Sequence, residues 1–234
     1  MDRVTRKELK SDFFAFEVGQ GVDYVSVHRR DFVRWGAIAL AAILLFAGIY
    51  WYRGYQHSAR AAALASALDI QNASLGPAQN EYMLTYPTQA DKDAAASKAF
   101  TELSAKYPNS DEGLIGEYYL AVLAADKGDL TQAEKRFKLV ADGAQSAYAS
   151  LAKLSLASIY QSQGKLAEGE KLIRSIIDSP TVLVSKEQAT IALARLVSQS
   201  NPDEARKLLE PLRASQRAAV SRAALTALSE IPKK

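Results

Sequence analysis

Two histidines and two acidic groups are the side chains of this 234-residue chain that could support catalysis or metal binding. His28 and His57 flank an uncharged run at 36–52 that is long enough to span a membrane, so they are not expected to share a site. The acidic groups, "DKD" at 91–93 and "NSDE" at 109–112, are typical of helix beginnings, where carboxylates complement the helix dipole. We therefore predict no catalytic residue, no metal and no cofactor, and we do not expect an enzyme.

The composition excludes further chemistry. The chain has no cysteine, which excludes disulfides, thiolate metal sites, a cysteine nucleophile and a lipid anchor on cysteine. "GQG" at 19–21 lacks the rest of a phosphate-binding pattern and is interpreted as a hinge. The net charge of +3 is too small to predict nucleic acid as a partner, and no motif predicts a small-molecule substrate.

The segment 35–53 is predicted to be a transmembrane helix. Its uncharged core, "GAIALAAILLFAGIYWY" at 36–52, has 17 residues. At about 1.5 Å of rise per residue, a helix of this length covers nearly all of the ~30 Å hydrocarbon core of a bilayer. Aromatic and basic residues stand at both ends, as in the interface belts of membrane helices. The predicted membrane-interface residues are Arg34, Trp35, Tyr50, Trp51, Tyr52 and Arg53.

Two other interpretations of this segment stay open. The alanines of "SARAAALA" at 58–65 resemble a signal cleavage site, and a buried helix of a soluble protein would also be apolar. Basic residues favour a retained span with a cytoplasmic N-terminus, because the tail 1–34 holds seven of them and the twenty residues after Tyr52 hold two. The domain 54–234 would then face the periplasm or the cell exterior.

The tail itself carries an amphipathic pattern. Leu9, Phe13 and Phe16 recur at i, i+4 and i+7, and basic residues occupy much of the opposite side. This pattern predicts an interfacial helix that lies on the inner leaflet or docks on a partner. A disordered tail with scattered aromatic residues is the third interpretation.

Beyond the span, an internal repeat organises the chain. "YYLAVLAADKGDLTQAEKRFKLV" at 118–140 aligns with "KLSLASIYQSQGKLAEGEKLIRSI" at 153–176 after a shift of 36 residues. A second shift of 36 brings Gly169 onto Ala205. Small residues at the matched positions let two helices approach closely, and large apolar residues beside them fill the space. The period predicts stacked helical hairpins.

These repeats resemble the tetratricopeptide repeat family. The resemblance lies in the turn and second helix G-D/K-L-x-x-A/G-x-x-x-F/I, in the preceding Leu-Ala pair, and in "AFTELSAKYPNSDEG" at 99–113, with a proline at the family's position. The repeats are divergent, since the family's period is 34, Gly169 replaces the usual alanine, and an expected aromatic residue is missing. The implied fold is all-α, a single transmembrane helix followed by an α-solenoid. The predicted hairpins are 111–143, 145–179 and 184–213, with an atypical pair at 55–107, a capping helix at 215–229, and the anchor continuing into the first repeat helix.

In such a fold the first helix of each hairpin presents a binding face. On the family's pattern, the partner-binding residues predicted are Tyr118, Val122 and Asp126 in one hairpin and Leu154, Ser158 and Gln161 in the next. Apolar residues on an exposed helix are common without any such role. That these six residues form a partner-binding groove on the concave face is therefore a hypothesis.

The whole layout is similar to an inner-membrane family described as the ancillary subunit of the bacterial Sec translocon. The resemblance covers roughly residues 30 to 214. It implies a single-pass protein of the bacterial inner membrane, with translocon subunits, periplasmic chaperones or exported chains as partners. An adaptor for envelope assembly or cell division, and a module that pairs with copies of itself, are the alternatives.

Overall fold

A computed structural model describes residues 29–78, 83–143 and 147–232 of the chain. The predicted amphipathic helix of the tail, the hinge at 19–21 and His28 lie outside the described residues. The described helices are α1 Arg29–Gln71, α2 Gln89–Lys106, α3 Asp111–Asp126, α4 Leu130–Asp142, α5 Tyr148–Ser162, α6 Leu166–Asp178, α7 Lys186–Val197, α8 Pro202–Arg213 and α9 Ala218–Glu230. The prediction of an all-α fold with an apolar N-terminal helix and helical hairpins is confirmed.

Two short strands interrupt the helices, which the sequence pattern did not predict. β1 Ser74–Leu75 pairs in parallel with β2 Thr85–Tyr86. Gly76 follows β1 with a φ of 100°, a conformation that glycine adopts without strain. A pair only two residues long has no alternating apolar pattern to detect, because such a pattern needs at least four residues.

The chain forms two compact units, Met1–Ser58 and Ala59–Lys234, and α1 contributes residues to both. In the first unit, α1 is long and apolar enough to cross a membrane, and its most apolar window has a mean hydropathy of 1.9. No residue in that window is buried. Apolar side chains exposed on all sides would be embedded in lipid, whereas the core helix of a soluble protein would be covered by its neighbours.

The second unit is a row of antiparallel helical hairpins. Each helix from α2 to α9 packs against the next, which is the arrangement that the repeat predicts. The hairpins α3/α4, α5/α6 and α7/α8 are followed by α9, and their helices fall within the predicted ranges. The first helices also contact one another, α3 with α5, α5 with α7 and α7 with α9. The row therefore curves towards the first helices, which form its concave side.

Turns at equivalent positions connect the helices of two hairpins. Gly128 has a φ of 80° and Gly164 a φ of 75°, so both adopt the left-handed conformation that closes a helix before a tight turn. After the first of these turns, the Asp129 side chain accepts a hydrogen bond from the Gln132 backbone N–H and caps α4. Matching turns make the two hairpins alike in geometry although most of their side chains differ.

Three clusters of buried side chains form the core of the second unit. The first joins the end of α1 to α2 and α3, the second lies between α3, α4 and α5, and the third extends from α5 to α9. The largest fully buried side chains are those of Phe100, Phe137, Leu156, Ile176, Leu193 and Leu209. An ion pair between Arg60 Nε and Glu112 Oε2, 3.5 Å apart, also joins α1 to α3.

Candidate functional site

A cavity of about 550 Å³ lies between α5, α7 and α9 on the concave side of the second unit. We call it the α5–α9 groove. Its volume lies within the range of roughly 300–1,000 Å³ that is typical of ligand pockets. Leu154, Ser158 and Gln161, the three residues of α5 predicted to bind a partner, line it together.

The floor of the groove is apolar because it is part of the third core cluster. Ala157, Ile173 and Leu196 lie beneath the cavity, and each is buried in that cluster. Apolar side chains of α7 and α9 form the facing walls, and polar uncharged side chains stand at the rim. The wall residues are Ile191, Ala192, Ala219, Val220 and Ala223, and the rim residues besides α5 are Ser185 and Gln188.

Gly169 explains how α6 supports this floor. A Cβ atom at this position would lie 3.3 Å from the Ala157 carbonyl oxygen and 3.4 Å from Leu196 Cδ2. The bare backbone of α6 therefore lies directly against the backbone of α5 and a side chain of α7. The replacement of the family's usual alanine by glycine fits this close approach.

The groove has little charge. Arg195 is the single charged residue among the described residues that line it, and its Nε lies 3.2 Å from Oε2 of Glu230 on α9. Both side chains are about half exposed, so the pair contributes little to stability. Its effect on the groove is electrostatic, because the carboxylate offsets the charge of the guanidinium.

The other three predicted binding residues lie on α3, away from the residues that line the groove. Tyr118 packs with its ring centroid 5.7 Å from that of Phe137 and 5.2 Å from that of Tyr148. Burial raises the pKa of the Tyr118 hydroxyl, and a hydrogen bond with Ser155 opposes that rise. Val122 packs against the second core cluster, and Asp126 is exposed at the end of α3.

Tyr118 is part of an aromatic cluster that the sequence did not reveal. Tyr119 stacks on Phe100 with ring centroids 4.8 Å apart, and burial, with a hydrogen bond to Tyr148, raises its pKa to about 12. A hydroxyl with this pKa stays protonated at neutral pH. The cluster connects α2, α3, α4 and α5, so Tyr118 has a packing role whether or not a partner also contacts it.

The part of the groove contributed by α7 was not predicted from the sequence. Gln188, Ala192 and Arg195 line the cavity. They repeat the i, i+4, i+7 spacing of Leu154, Ser158 and Gln161 after a shift of 34 residues, which is the family's usual period. The shift of 36 relates α3 to α5 and α6 to α8, so that shift alone could not locate the groove residues of α7. The contribution of α9 had no repeat signal at all.

The acidic groups considered for metal binding lie at the beginnings of helices. Asp91 lies in the first turn of α2, and Asp111 and Glu112 lie in the first turn of α3, as predicted for helix beginnings. Thr88 Oγ1 caps α2 by accepting a hydrogen bond from the Asp91 N–H at 3.1 Å. Among the described residues there is no group of three or more histidine, aspartate or glutamate side chains placed to hold a metal ion.

The predicted interface residues of the membrane helix lie on α1 within the first unit. Trp35, Tyr50 and Trp51 are 70 %, 83 % and 77 % exposed. Tyr52 is also exposed, and its hydroxyl accepts a hydrogen bond from Gln56 Nε2 at 3.0 Å. These rings are exposed at the two ends of the apolar run.

The stacked hairpins and the concave groove define a helical-repeat protein. Residues 31–182 match the model of the tetratricopeptide repeat-like domain family, and the chain belongs to this family. The match includes the apolar part of α1 and ends before α7, so two walls of the groove lie beyond it. Comparison with curated proteins and with solved structures gives no match. Domains of this kind generally mediate protein–protein interaction, and the family indicates no catalytic activity.

Proposed function

We propose that this protein is a membrane-anchored scaffold that binds other proteins through the α5–α9 groove. The observation that carries the proposal is the convergence of Leu154, Ser158 and Gln161 with side chains of α7 and α9 around one cavity. Binding sites are typically concave and largely apolar, with a few polar groups that fix orientation. Tyr118, Val122 and Asp126 would extend the binding surface along α3.

The anchor is the segment 35–53 of α1, with the tail 1–34 in the cytoplasm and the domain 54–234 in the periplasm of a bacterial inner membrane. Length, hydropathy and exposure of α1 support a membrane span. The excess of basic residues before the span supports this orientation. The six interface residues from Arg34 to Arg53 would hold the helix at the two headgroup layers.

The proposed partners are subunits of the Sec translocon, periplasmic chaperones or exported chains. This part of the proposal rests on the resemblance in layout, that is, a basic tail, one span ending in Tyr-Trp-Tyr-Arg, and divergent hairpins. The same scaffold could serve an envelope-assembly or cell-division complex, or could bind a second copy of itself. Identification of the bound protein separates these possibilities.

The test is photo-crosslinking in native membranes. A photoreactive amino acid is introduced at Ser158, which is exposed at the groove, and, as a matched control, at Lys171, which is exposed on α6 and does not line the cavity. We expect a protein adduct from position 158 that position 171 does not give, and mass spectrometry identifies the attached chain. Equal adducts from both positions, or none from 158, would refute binding through the groove.

The aromatic cluster determines which positions are suitable for this test. A charged replacement of Tyr118 would bury a charge among Phe137 and Tyr148, so loss of binding would not be separable from loss of folding. Ser158 avoids this problem because it has no place in a core cluster. A second probe at Asp126, exposed at the end of α3, tests whether the binding surface extends beyond the groove.

A further inference from the structure

We infer that the partner of the α5–α9 groove is a short, uncharged and largely apolar segment of polypeptide chain. The inference rests on the proposed function and specifies its ligand chemistry. It is carried by the lower charge of the helices that line the groove, compared with α6 and α8, and by the size and lining of the cavity.

Charge is distributed unequally between α5, which lines the groove, and the outer helices α6 and α8. In "YASLAKLSLASIYQS", α5 has one charged residue, Lys153, whereas "LAEGEKLIRSIID" of α6 has five and "PDEARKLLEPLR" of α8 has six. The outer helices use these charges in ion pairs, such as those of Arg174 with Glu170 and Glu204. Partner surfaces generally match in charge, so the sparsely charged lining of the groove favours an uncharged ligand.

The single cation of the groove is already neutralised. Arg195 pairs with Glu230, so a partner carboxylate would have to compete with an acidic side chain of the protein. A basic partner would find no acidic side chain among the lining residues that the structure describes. Burying an unpaired charge over Ala157, Ile173 and Leu196 would cost more than burying an apolar side chain.

The polar groups at the rim suit a peptide backbone. Ser158, Gln161 and Gln188 are exposed at the edge of the cavity, and hydroxyl and amide groups can both donate and accept hydrogen bonds. A peptide that enters an apolar groove must have its backbone N–H and C=O groups satisfied. The uncharged polar side chains at the rim can bind the backbone of such a peptide, and the apolar floor can contact its apolar side chains.

The size of the cavity favours a segment over a folded surface. A volume of about 550 Å³ accommodates a few side chains. A stable interface between two folded proteins buries roughly 800 Å² on each partner, which requires a broader contact than this groove. We therefore infer that a short segment occupies the groove. Binding of a second folded copy of the chain would instead appear as a crosslink from Ser158 to that copy.

Binding of defined peptides tests the inference. The full-length protein in lipid nanodiscs is titrated with three fluorescent peptides: one of leucine, serine and glutamine, and two in which several serines are replaced by lysine or by glutamate. We expect the neutral peptide to bind about tenfold more tightly than either charged peptide, a difference that corresponds to roughly 1.4 kcal/mol. Its Kd should change little between about 0.05 and 0.3 M salt, because screening affects charged ligands most.

Isosteric variants test the charge argument directly. The double variant Gln161→Glu and Gln188→Glu adds two carboxylates at the rim with almost no change in shape, and should weaken the neutral peptide about tenfold. It should also strengthen binding of the lysine peptide. Gln199→Glu is the matched control, because Gln199 is exposed between α7 and α8 and does not line the cavity.

The inference would be overturned if a charged peptide bound as tightly as the neutral peptide or more tightly, or if no peptide bound. It would also be overturned if the Kd of the neutral peptide depended steeply on salt, or if Gln199→Glu weakened the neutral peptide as much as the double variant does. A crosslink from Ser158 to a second copy would also overturn it. If the peptide experiment fails while Ser158 still crosslinks to a partner, the scaffold function stands and only its ligand chemistry is wrong. Loss of the Ser158 crosslink would instead remove the proposed function.

Discussion

Replacement of Gly113 by alanine should destabilise the corner between α2 and α3 severely. Gly113 lies in the first turn of α3, and its N–H donates a 3.0 Å hydrogen bond to Ser110 Oγ, the cap of that helix. A Cβ atom at this position would overlap the Tyr107 carbonyl oxygen and lie 2.9 Å from the carbonyl carbon. The obstacle is backbone, so a change of side-chain rotamer cannot relieve it.

The cost follows from the contacts that must be lost. The Tyr107 carbonyl oxygen accepts hydrogen bonds from the Ser110 N–H at 3.1 Å and from Ser110 Oγ at 3.0 Å. Losing both costs about 1 kcal/mol each, and overpacking adds about 1–3 kcal/mol. The higher helix propensity of alanine offsets about 0.5–1 kcal/mol. The net loss in free energy of unfolding is about 3 kcal/mol, or roughly 6–12 °C in Tm for a domain of this size.

Thermal unfolding of the full-length chain in detergent, followed by far-UV circular dichroism, measures this effect. Gly116→Ala is the matched control on the same helix. Its Cβ would lie 3.2 Å from the Phe100 carbonyl oxygen and 3.3 Å from Leu103 Cδ2, distances that small shifts can relieve. A Tm for Gly113→Ala equal to that of the wild type, or above that of Gly116→Ala, would refute the reasoning.

Two further predictions concern the interior and the surface of the hairpin α3/α4. Phe137→Ala should lower the free energy of unfolding by about 3–5 kcal/mol in urea titration, because Phe137 is 2 % exposed and contacts the ring of Tyr118; a loss below about 1 kcal/mol would contradict this packing. Hydrogen bonds from Lys138 and Gln163 lower the pKa of Glu134, so its stabilisation is present at neutral pH and is lost as the pH falls below the ordinary range of a glutamate. Glu134→Gln should therefore cost about 0.3–0.5 kcal/mol at neutral pH and nothing in acid, and a difference that persisted in acid would contradict this assignment.

The helices and their turns could be predicted because their signals are local. Gly128 and Gly164 close helices with positive φ, and the acidic residues at 109–112 begin α3, as their positions in the sequence indicated. The small and large residues of the repeat, such as Ala133 and Phe137, are buried at the expected contacts. Each of these properties depends on a few neighbouring residues and on helical spacing.

The candidate site could be predicted only in part. Leu154, Ser158 and Gln161 were found because they occupy the outward positions of a first helix. Tyr118 matches them in the repeat but packs in an aromatic cluster, since Phe137 and Tyr148 contact its ring from other helices. Exposure of a side chain depends on residues distant in sequence, and the repeat pattern does not contain them.

The sequence by itself therefore determined the apolar helix, the helical hairpins, their turns and one face of the groove. Only the tertiary structure decided that α9 closes the groove, that Gln188, Ala192 and Arg195 share it with α5, and that Glu230 neutralises Arg195. The physical reason is that helix formation follows from local periodicity, whereas a groove depends on how each helix is rotated and offset against its neighbours. In this chain the groove residues of α5 match those of α7 after 34 residues, whereas α3 matches α5, and α6 matches α8, after 36 residues.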